Sequence, residues 1–166
     1  MRKKTFESTS KLILAQEMAT GLMGLHGLSG WMFAFNSNLR RAGVCRHPFV
    51  RKNVSRPGTI ELSAHFVNLN DEAEVRDTIL HEIAHALAGK GHGHNAVWRK
   101  KCLEVGARPE RCYGEHVEMP KGKWSASCPS CSKVFHRHRR PKAHRVIWCA
   151  KCGRENGLLK WMPVGA

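Results

Sequence analysis

The sequence predicts an α+β protein in which a small antiparallel sheet packs on helices and a small cysteine-rich module follows. Three observations support this class. Stretches with helical apolar spacing alternate with short apolar strands, four cysteines form two spaced pairs near the C-terminal end, and basic charge is concentrated beside them. A chain of 166 residues accommodates one domain of ordinary size and a small module. We therefore divide it into a domain at 8–112, a connection at 113–123 and a module at 124–160.

The segment 8–25 predicts an amphipathic first helix and not an export signal. The start of the chain is as basic as the start of such a signal. However, polar side chains interrupt the apolar run that would have to follow, namely Glu7, Lys11, Gln16 and Glu17. No apolar run reaches the roughly 18 residues that span a bilayer. We therefore expect a cytoplasmic protein with no membrane partner.

Three strands are predicted after this helix. Residues 31–35 form an apolar run that is typical of a strand packed on both faces, and an Asn-Ser-Asn turn follows it. A second strand is expected within 40–47, and the prolines, glycine and basic residues of 48–58 indicate an exposed loop. Residues 59–63 alternate as a half-buried strand does, and a short turn or helix is expected at 64–69.

Two longer helices come next. Residues 71–90 begin with an Asn-Asp cap signal, carry acidic side chains in the first turn and end at Gly89. Apolar residues recur in this segment with helical spacing. Residues 95–105 predict the second helix, which Gly106 ends and in which Trp98 marks the buried face.

The first of these helices contains the sequence His81-Glu82-Ile83-Ala84-His85. Four residues span just over one helical turn, so His81 and His85 project side by side and can bind one metal ion. Glu82 lies near the same edge and can take a proton from a water molecule on that metal. This H-E-x-x-H pattern is typical of zinc-dependent peptidases. The alternative is an amphipathic helix with two surface histidines.

A catalytic zinc ion needs a third protein ligand and an open position for water. His92, His94 and Glu104 are the candidates, and Glu104 would correspond to a thermolysin-type arrangement. We prefer His94, because it lies at the start of the next helix. Trp98 follows four positions later, where its indole can pack beside the metal site. The glycines before His94 let the chain turn back to the metal, although the spacing leaves His92 and Glu104 open.

Four of the seven cysteines predict a second metal site, with the spacing C-x2-C-x17-C-x2-C: Cys128, Cys131, Cys149 and Cys152. Two such knuckles complete a closed tetrahedral zinc site. Short strands are expected at 134–135 and 146–148, so the module is interpreted as a zinc ribbon whose folding depends on its metal. The alternative for a C-x-x-C pair is redox chemistry. The other cysteines are interpreted as ordinary thiols, namely Cys45, Cys102 and Cys112.

The chain is strongly and unevenly basic, with a formal net charge of +15. Residues 1–119 carry 17 basic and 12 acidic side chains, whereas residues 120–166 carry 11 basic and one acidic. This imbalance favours a polyanion such as DNA, bound through its phosphates without sequence specificity. The candidate contacts lie between the two knuckles: Arg137, Arg139, Arg140, Lys142 and Arg145. The alternative is a structural ribbon with a solvated loop.

Several segments together resemble the SprT-like family, which includes the Spartan proteases of DNA–protein crosslink repair. The resembling segments are residues 31–36, 40–45, 60–63, 78–87 and 92–98, and the similarity covers about residues 10–112. The resemblance implies a zincin-like domain whose third ligand is a histidine followed four residues later by an aromatic, as His94 is by Trp98. Asn95 stands where the family usually has glycine. Many members also end in a cysteine ribbon.

The resemblance implies a zinc-dependent endopeptidase that acts on proteins bound to or crosslinked with DNA. We expect one catalytic and one structural zinc ion, Glu82 as general base, a monomer, and association with the nucleoid when DNA is bound. Tyr113 and His116 are candidates for stabilising the oxyanion. Two other functions remain open. One is a nucleic-acid-binding or regulatory zinc protein without significant turnover, and the other is a peptidase whose basic tail binds an acidic protein partner.

Overall fold

The computed structural model describes residues 2–111, 117–142 and 144–164, with side chains from residue 9 onward. The chain forms two compact units, Met1–Pro120 and Lys121–Ala166, and the division falls within the predicted connection at 113–123. No helix in the described part of the chain is long and apolar enough to cross a membrane.

The described residues of the first unit form four helices: α1 (Arg2–Leu25), α2 (Ala64–Leu69), α3 (Glu72–Ala88) and α4 (Ala96–Val105). Helix α1 begins six residues before the predicted start, in a stretch of Lys and Arg residues, which are good helix formers. The other three helices begin at side-chain caps on Ser63, Asp71 and Asn95. Helices α3 and α4 end at Gly89 and Gly106, as their sequence signals predict.

The same part of the chain forms five strands: β1 (Met32–Asn36), β2 (Gly43–Arg46), β3 (Phe49–Arg51), β4 (Val54–Arg56) and β5 (Thr59–Ser63). The main sheet has the order β1-β5-β2, with β5 antiparallel to β2 but parallel to β1. The α+β class is confirmed, whereas the sheet is mixed and not wholly antiparallel. Strand β2 runs opposite to β1. The chain changes direction again before β5, so β5 runs in the same direction as β1.

Two local expectations in this region are wrong. The segment expected to be a loop contains the exposed hairpin β3–β4, which turns at Lys52 and Asn53, with Lys52 in the left-handed region at φ 50°. Strand β1 is not packed on both faces. Phe33 and Phe35 pack against the core, whereas Met32 is 56% exposed on the other face.

The core of the first unit lies between α1, α3, α4 and the main sheet. Ile79, Leu80 and Ile83 of α3 are fully buried, and they meet the buried Ile60 and Leu62 of β5. Because these residues flank the H-E-x-x-H sequence, their burial fixes the rotation of α3 about its axis. That rotation decides which way the histidines point.

The second unit is a small three-stranded antiparallel sheet of order β7-β6-β8, built from β6 (Trp124–Ser127), β7 (Val134–Arg137) and β8 (Met162–Pro163). A short helix, α5 (Gly153–Asn156), follows the second knuckle. The strand expected at 146–148 is reduced to a single bridge between Trp148 and Leu158. Among the described residues of this unit, the buried core contains Ala126, Cys128, Cys149 and Leu159. This small sheet with four clustered cysteines is consistent with a zinc ribbon.

Candidate metal centre

Three histidines converge in the first unit, two from α3 and one from the turn before α4. The Nε2 atom of His94 lies 3.2 Å from Nε2 of His81 and 3.2 Å from Nε2 of His85. Two nitrogens bound to one tetrahedral zinc ion at about 2.0–2.1 Å would lie roughly 3.3 Å apart. The three imidazoles therefore present their nitrogens at the separation that a shared zinc ion requires, and this donor set fits zinc.

The turn that returns His94 to α3 depends on glycine. Gly89, Gly91 and Gly93 all have positive φ angles, of 89°, 94° and 38°. An L side chain rarely adopts this conformation, whereas glycine does so without steric cost. The glycines expected to let the chain turn back are thus the residues that make the turn.

The environment keeps all three imidazoles neutral, which is the form that binds metal. Burial lowers the pKa of His81 to about 4, with a further contribution from His94. Burial also lowers the pKa of His85 to about 3, assisted by His81 and His94. The pKa of His94 is lowered by burial and then by the charge of Arg111.

Trp98 forms one wall of the centre, as its spacing from His94 predicts. Its side chain is fully buried, and its ring centroid lies 4.6–5.2 Å from those of the three histidines. Asn95 places this wall, since its side chain accepts hydrogen bonds from the backbone N–H groups of Val97 and Trp98. The cap that starts α4 therefore also fixes the residue beside His94.

The two alternative ligands lie outside this group in the described part of the chain. The Nδ1 atom of His92 lies 3.2 Å from the side-chain amide of Asn95. Glu104 is paired with Lys101 on the exposed side of α4, at 2.6 Å.

Glu82 is buried against β2, with 5% of its surface exposed. A β-carbon at position 43 would lie 2.6 Å from Oε1 of Glu82, so only glycine leaves room for the carboxyl group there. Burial raises the pKa of Glu82 to about 8, and the backbone N–H of Cys45 opposes this shift by hydrogen bonding to the carboxylate. A carboxyl group with such a pKa is well matched to accepting a proton near neutral pH.

The histidines and Glu82 face an open cleft of about 440 Å³. The cleft is lined by residues 40–45, by the glycine turn and by Arg111. Gly43 and the arginines Arg40, Arg41 and Arg111 are site residues that sequence reasoning missed. No local pattern indicates them, because their position depends on how β2 and the segment after α4 approach α3.

The four cysteines of the second unit also converge. Their sulfur atoms all lie within 4.8 Å of one another, and Sγ of Cys131 is 3.8 Å from Sγ of Cys149. Zinc–sulfur bonds of about 2.3 Å in a tetrahedron place the sulfurs roughly 3.8 Å apart. Backbone N–H groups of Cys131 and Ser130 lower the pKa of the Cys128 thiol to about 7, which favours the thiolate that binds metal.

The five candidate DNA-contact residues are all exposed. Two of them stack on aromatic rings, with Arg137 over Trp161 at 5.1 Å and Arg140 over Trp124 at 5.4 Å. Trp161 follows the second knuckle, and its sequence position alone gives no sign of this contact. Three further residues, Cys112, Tyr113 and His116, lie outside the described residues, so the interpretation of Cys112 as an ordinary thiol and the oxyanion role of the other two stay predictions.

In this α+β domain, one helix and the turn after it bring three histidines together beside a buried glutamate. This arrangement is that of a metallopeptidase-like domain. A family model for the SprT-like family matches residues 14–118, which include His81, Glu82, His85 and His94. The chain therefore belongs to the SprT-like family. The match ends before the cysteine module. No curated protein matches the chain.

Proposed function

We propose that this protein is a zinc-dependent endopeptidase that cleaves proteins bound to or crosslinked with DNA. The observation that carries the peptidase part is the convergence of three neutral imidazoles beside the buried carboxyl group of Glu82, in an open cleft. Membership of the SprT-like family supports the same class. Zinc in the cysteine site would hold the ribbon together.

His81, His85 and His94 would hold the catalytic zinc. When bound, the ion supplies Lewis acidity toward the scissile carbonyl and lowers the pKa of a water molecule. Glu82 accepts the proton of the attacking water as the new C–O bond forms, and then delivers it to the amine nitrogen so that the peptide C–N bond breaks. Gly43 and the Cys45 amide hold the Glu82 carboxyl group in place for both transfers.

The DNA part of the proposal is supported by the ribbon. The five candidate cations between the knuckles are all exposed, and aromatic rings lie beneath Arg137 and Arg140. Guanidinium groups neutralise phosphates, and exposed aromatic rings stack on bases of single strands. If all five cations contact a single strand, the logarithm of the affinity should fall with the logarithm of salt concentration with a slope of about −3.5.

The test is proteolysis of a DNA-binding protein that contains both basic and acidic segments, with and without single-stranded DNA. Wild type is compared with Glu82→Gln at equal zinc content. Cleavage that DNA stimulates and that the variant loses by at least about 100-fold supports the proposal. Full cleavage by Glu82→Gln would rule out this role for Glu82. No cleavage under any condition, together with salt-sensitive DNA binding, would favour a binding protein without turnover.

A second pair of variants tests the ribbon. Replacing Arg137, Arg139 and Arg140 by Gln should abolish stimulation by DNA and leave the basal cleavage unchanged. The matched control is Lys160→Gln, which removes a basic side chain of the same unit outside the segment between the knuckles. Equal stimulation in the triple variant would instead point to a protein partner for the basic surface.

A further inference from the structure

The cleft in front of the three histidines is rimmed by cations. Arg40 and Arg41 directly precede the residues that pack on Glu82, and Arg111 also lines the cleft. All three side chains belong to exposed residues. The cleft therefore carries three guanidinium groups at the place where a peptide would be cut.

These charges are not neutralised within the described part of the chain. The ion pairs of the first unit use Arg46, Lys101 and Arg108, and none of them involves the three cleft arginines. Among the described residues that line the cleft, the only acidic side chain is Glu82, which is buried and faces β2. The cleft is thus open to an anionic group from outside.

A carboxylate suits this cleft better than a nucleic acid does. The guanidinium fork binds a carboxylate through two parallel hydrogen bonds. A single-stranded nucleic acid would need aromatic faces for its bases, and the described lining contains no Phe, Tyr or Trp. The aromatic rings beneath Arg137 and Arg140 lie in the second unit, and both are half-buried.

We propose that Arg40, Arg41 and Arg111 are specificity-determining residues that favour substrates with aspartate or glutamate beside the scissile bond. This inference rests on the proposed peptidase function and adds a substrate class to it. It also separates the two roles of positive charge: the ribbon attaches the enzyme to DNA, while the cleft selects acidic segments of the protein to be cut.

Binding is tested with the full-length, zinc-loaded Glu82→Gln protein, which holds peptides without cutting them. Fluorescence anisotropy compares a peptide containing Glu on both sides of its centre with the same peptide containing Gln. The Glu peptide should bind roughly tenfold more tightly. Arg40→Ala/Arg41→Ala and Arg111→Ala should each reduce this ratio, whereas Arg76→Ala, which removes an exposed charge of α3 outside the cleft, should leave it unchanged.

A charge reversal is expected to produce a new binding preference, which an unfolded protein would not show. Arg111→Glu should turn the preference toward a matched peptide containing Lys. Equal binding of Glu and Gln peptides, or ratios that the arginine variants do not change, would overturn the inference. So would arginine variants that lose affinity for a single-stranded oligonucleotide while keeping the peptide ratio.

Cleavage by the wild type separates this inference from the proposed function. If the Glu and Gln peptides are cut with equal kcat/KM, the peptidase function stands and the specificity inference fails. If neither the peptides nor a protein on DNA is cut, the peptidase function fails. A preference of the cleft for acidic peptides would then describe a binding site only.

Discussion

At the scale of single residues, Gly43 and Glu82 depend on each other. The carboxyl group occupies the space that any β-carbon at position 43 would need. Gly43→Ala must therefore push Glu82 away from the position in which we propose that it acts as a base. Because displacements of about 1 Å at such groups cost up to about 100-fold in rate, we expect kcat/KM to fall by roughly 10- to 100-fold with the bound zinc retained.

The matched control for this change is Gly24→Ala in α1, where a β-carbon would meet nothing within 4 Å. That variant should keep full activity and gain about 0.5–1 kcal/mol of stability. Steady-state kinetics and urea unfolding measure both effects. Full activity in Gly43→Ala would mean that Glu82 has room to move without loss of function.

At the scale of elements, α4 starts at a cap that also orders the centre. Asn95 accepts hydrogen bonds from two N–H groups of the first turn, and Ala cannot accept them. Asn95→Ala should lower the free energy of unfolding by about 1 kcal/mol, whereas Asn95→Gly should lower it by only a few tenths. Urea unfolding at fixed free zinc, followed by circular dichroism, measures the difference.

The small effect expected for Asn95→Gly explains how asparagine can stand where glycine is usual in the resembling sequences. Both residues are accepted at the start of a helix, by different means. Equal losses of stability in the Ala and Gly variants would show that the hydrogen bonds of Asn95 contribute nothing to the cap.

The strands of the main sheet share a carboxylate. Glu61 of β5 accepts hydrogen bonds from Arg46 of β2 and Asn36 of β1, and the hydrogen bond from Arg46 is the largest cause that holds the pKa of Glu61 below its usual range. A lowered pKa in the folded state adds stability above the pKa of the unfolded state. That stability is lost as pH falls through the folded pKa.

Glu61→Gln should therefore be less stable than wild type near pH 7, by less than about 1 kcal/mol because Arg46 is largely exposed. The difference should shrink as pH falls below about 4.3. Urea unfolding across this pH range measures the difference. The control is Glu104→Gln, because the pair of Glu104 with Lys101 lies on the exposed side of α4 and joins no two elements. A difference between wild type and Glu61→Gln that does not change with pH would exclude an ionic origin.

Sequence reasoning succeeded where the signals are local. The cap at Asp71 and the stop at Gly106 place the start of α3 and the end of α4, and helical spacing then brings His81 and His85 together. It failed where the partner lies far away in the chain. The parallel pairing of β1 with β5 and the approach of Gly43 to Glu82 join distant segments, and the turn at Lys52 lacks the glycine that usually marks a hairpin.

At the scale of the whole molecule, the three histidines and the four cysteines predict two zinc ions per chain. Loss of one ion should have different consequences from loss of the other. His94→Ala should lower the zinc content from two to one and abolish cleavage, while the fold of the ribbon is kept. Cys149→Ser should also lower it to one, but the second unit should then become sensitive to added protease, because its small core depends on the metal. Elemental analysis and limited proteolysis measure these outcomes.

The control for the histidine is His92→Ala, which removes the neighbouring imidazole and should keep both zinc ions. Loss of one zinc ion in that variant, or retention of both in His94→Ala, would transfer the role of third ligand to His92. Loss of helical structure from the first unit in Cys149→Ser would show that the first unit needs the metal of the second in order to fold.

The order β1-β5-β2 also constrains how the chain can fold while it is being synthesised. The two outer strands do not pair with each other, so both leave the ribosome before the strand that joins them. At roughly 5–20 residues per second, the interval before Ser63 is made is on the order of seconds. During it, only the hairpin between Phe49 and Arg56 has its partner at hand. Slower translation of the residues between β2 and Ser63 would prolong the time during which β1 and β2 lack their partner strand in the nascent chain.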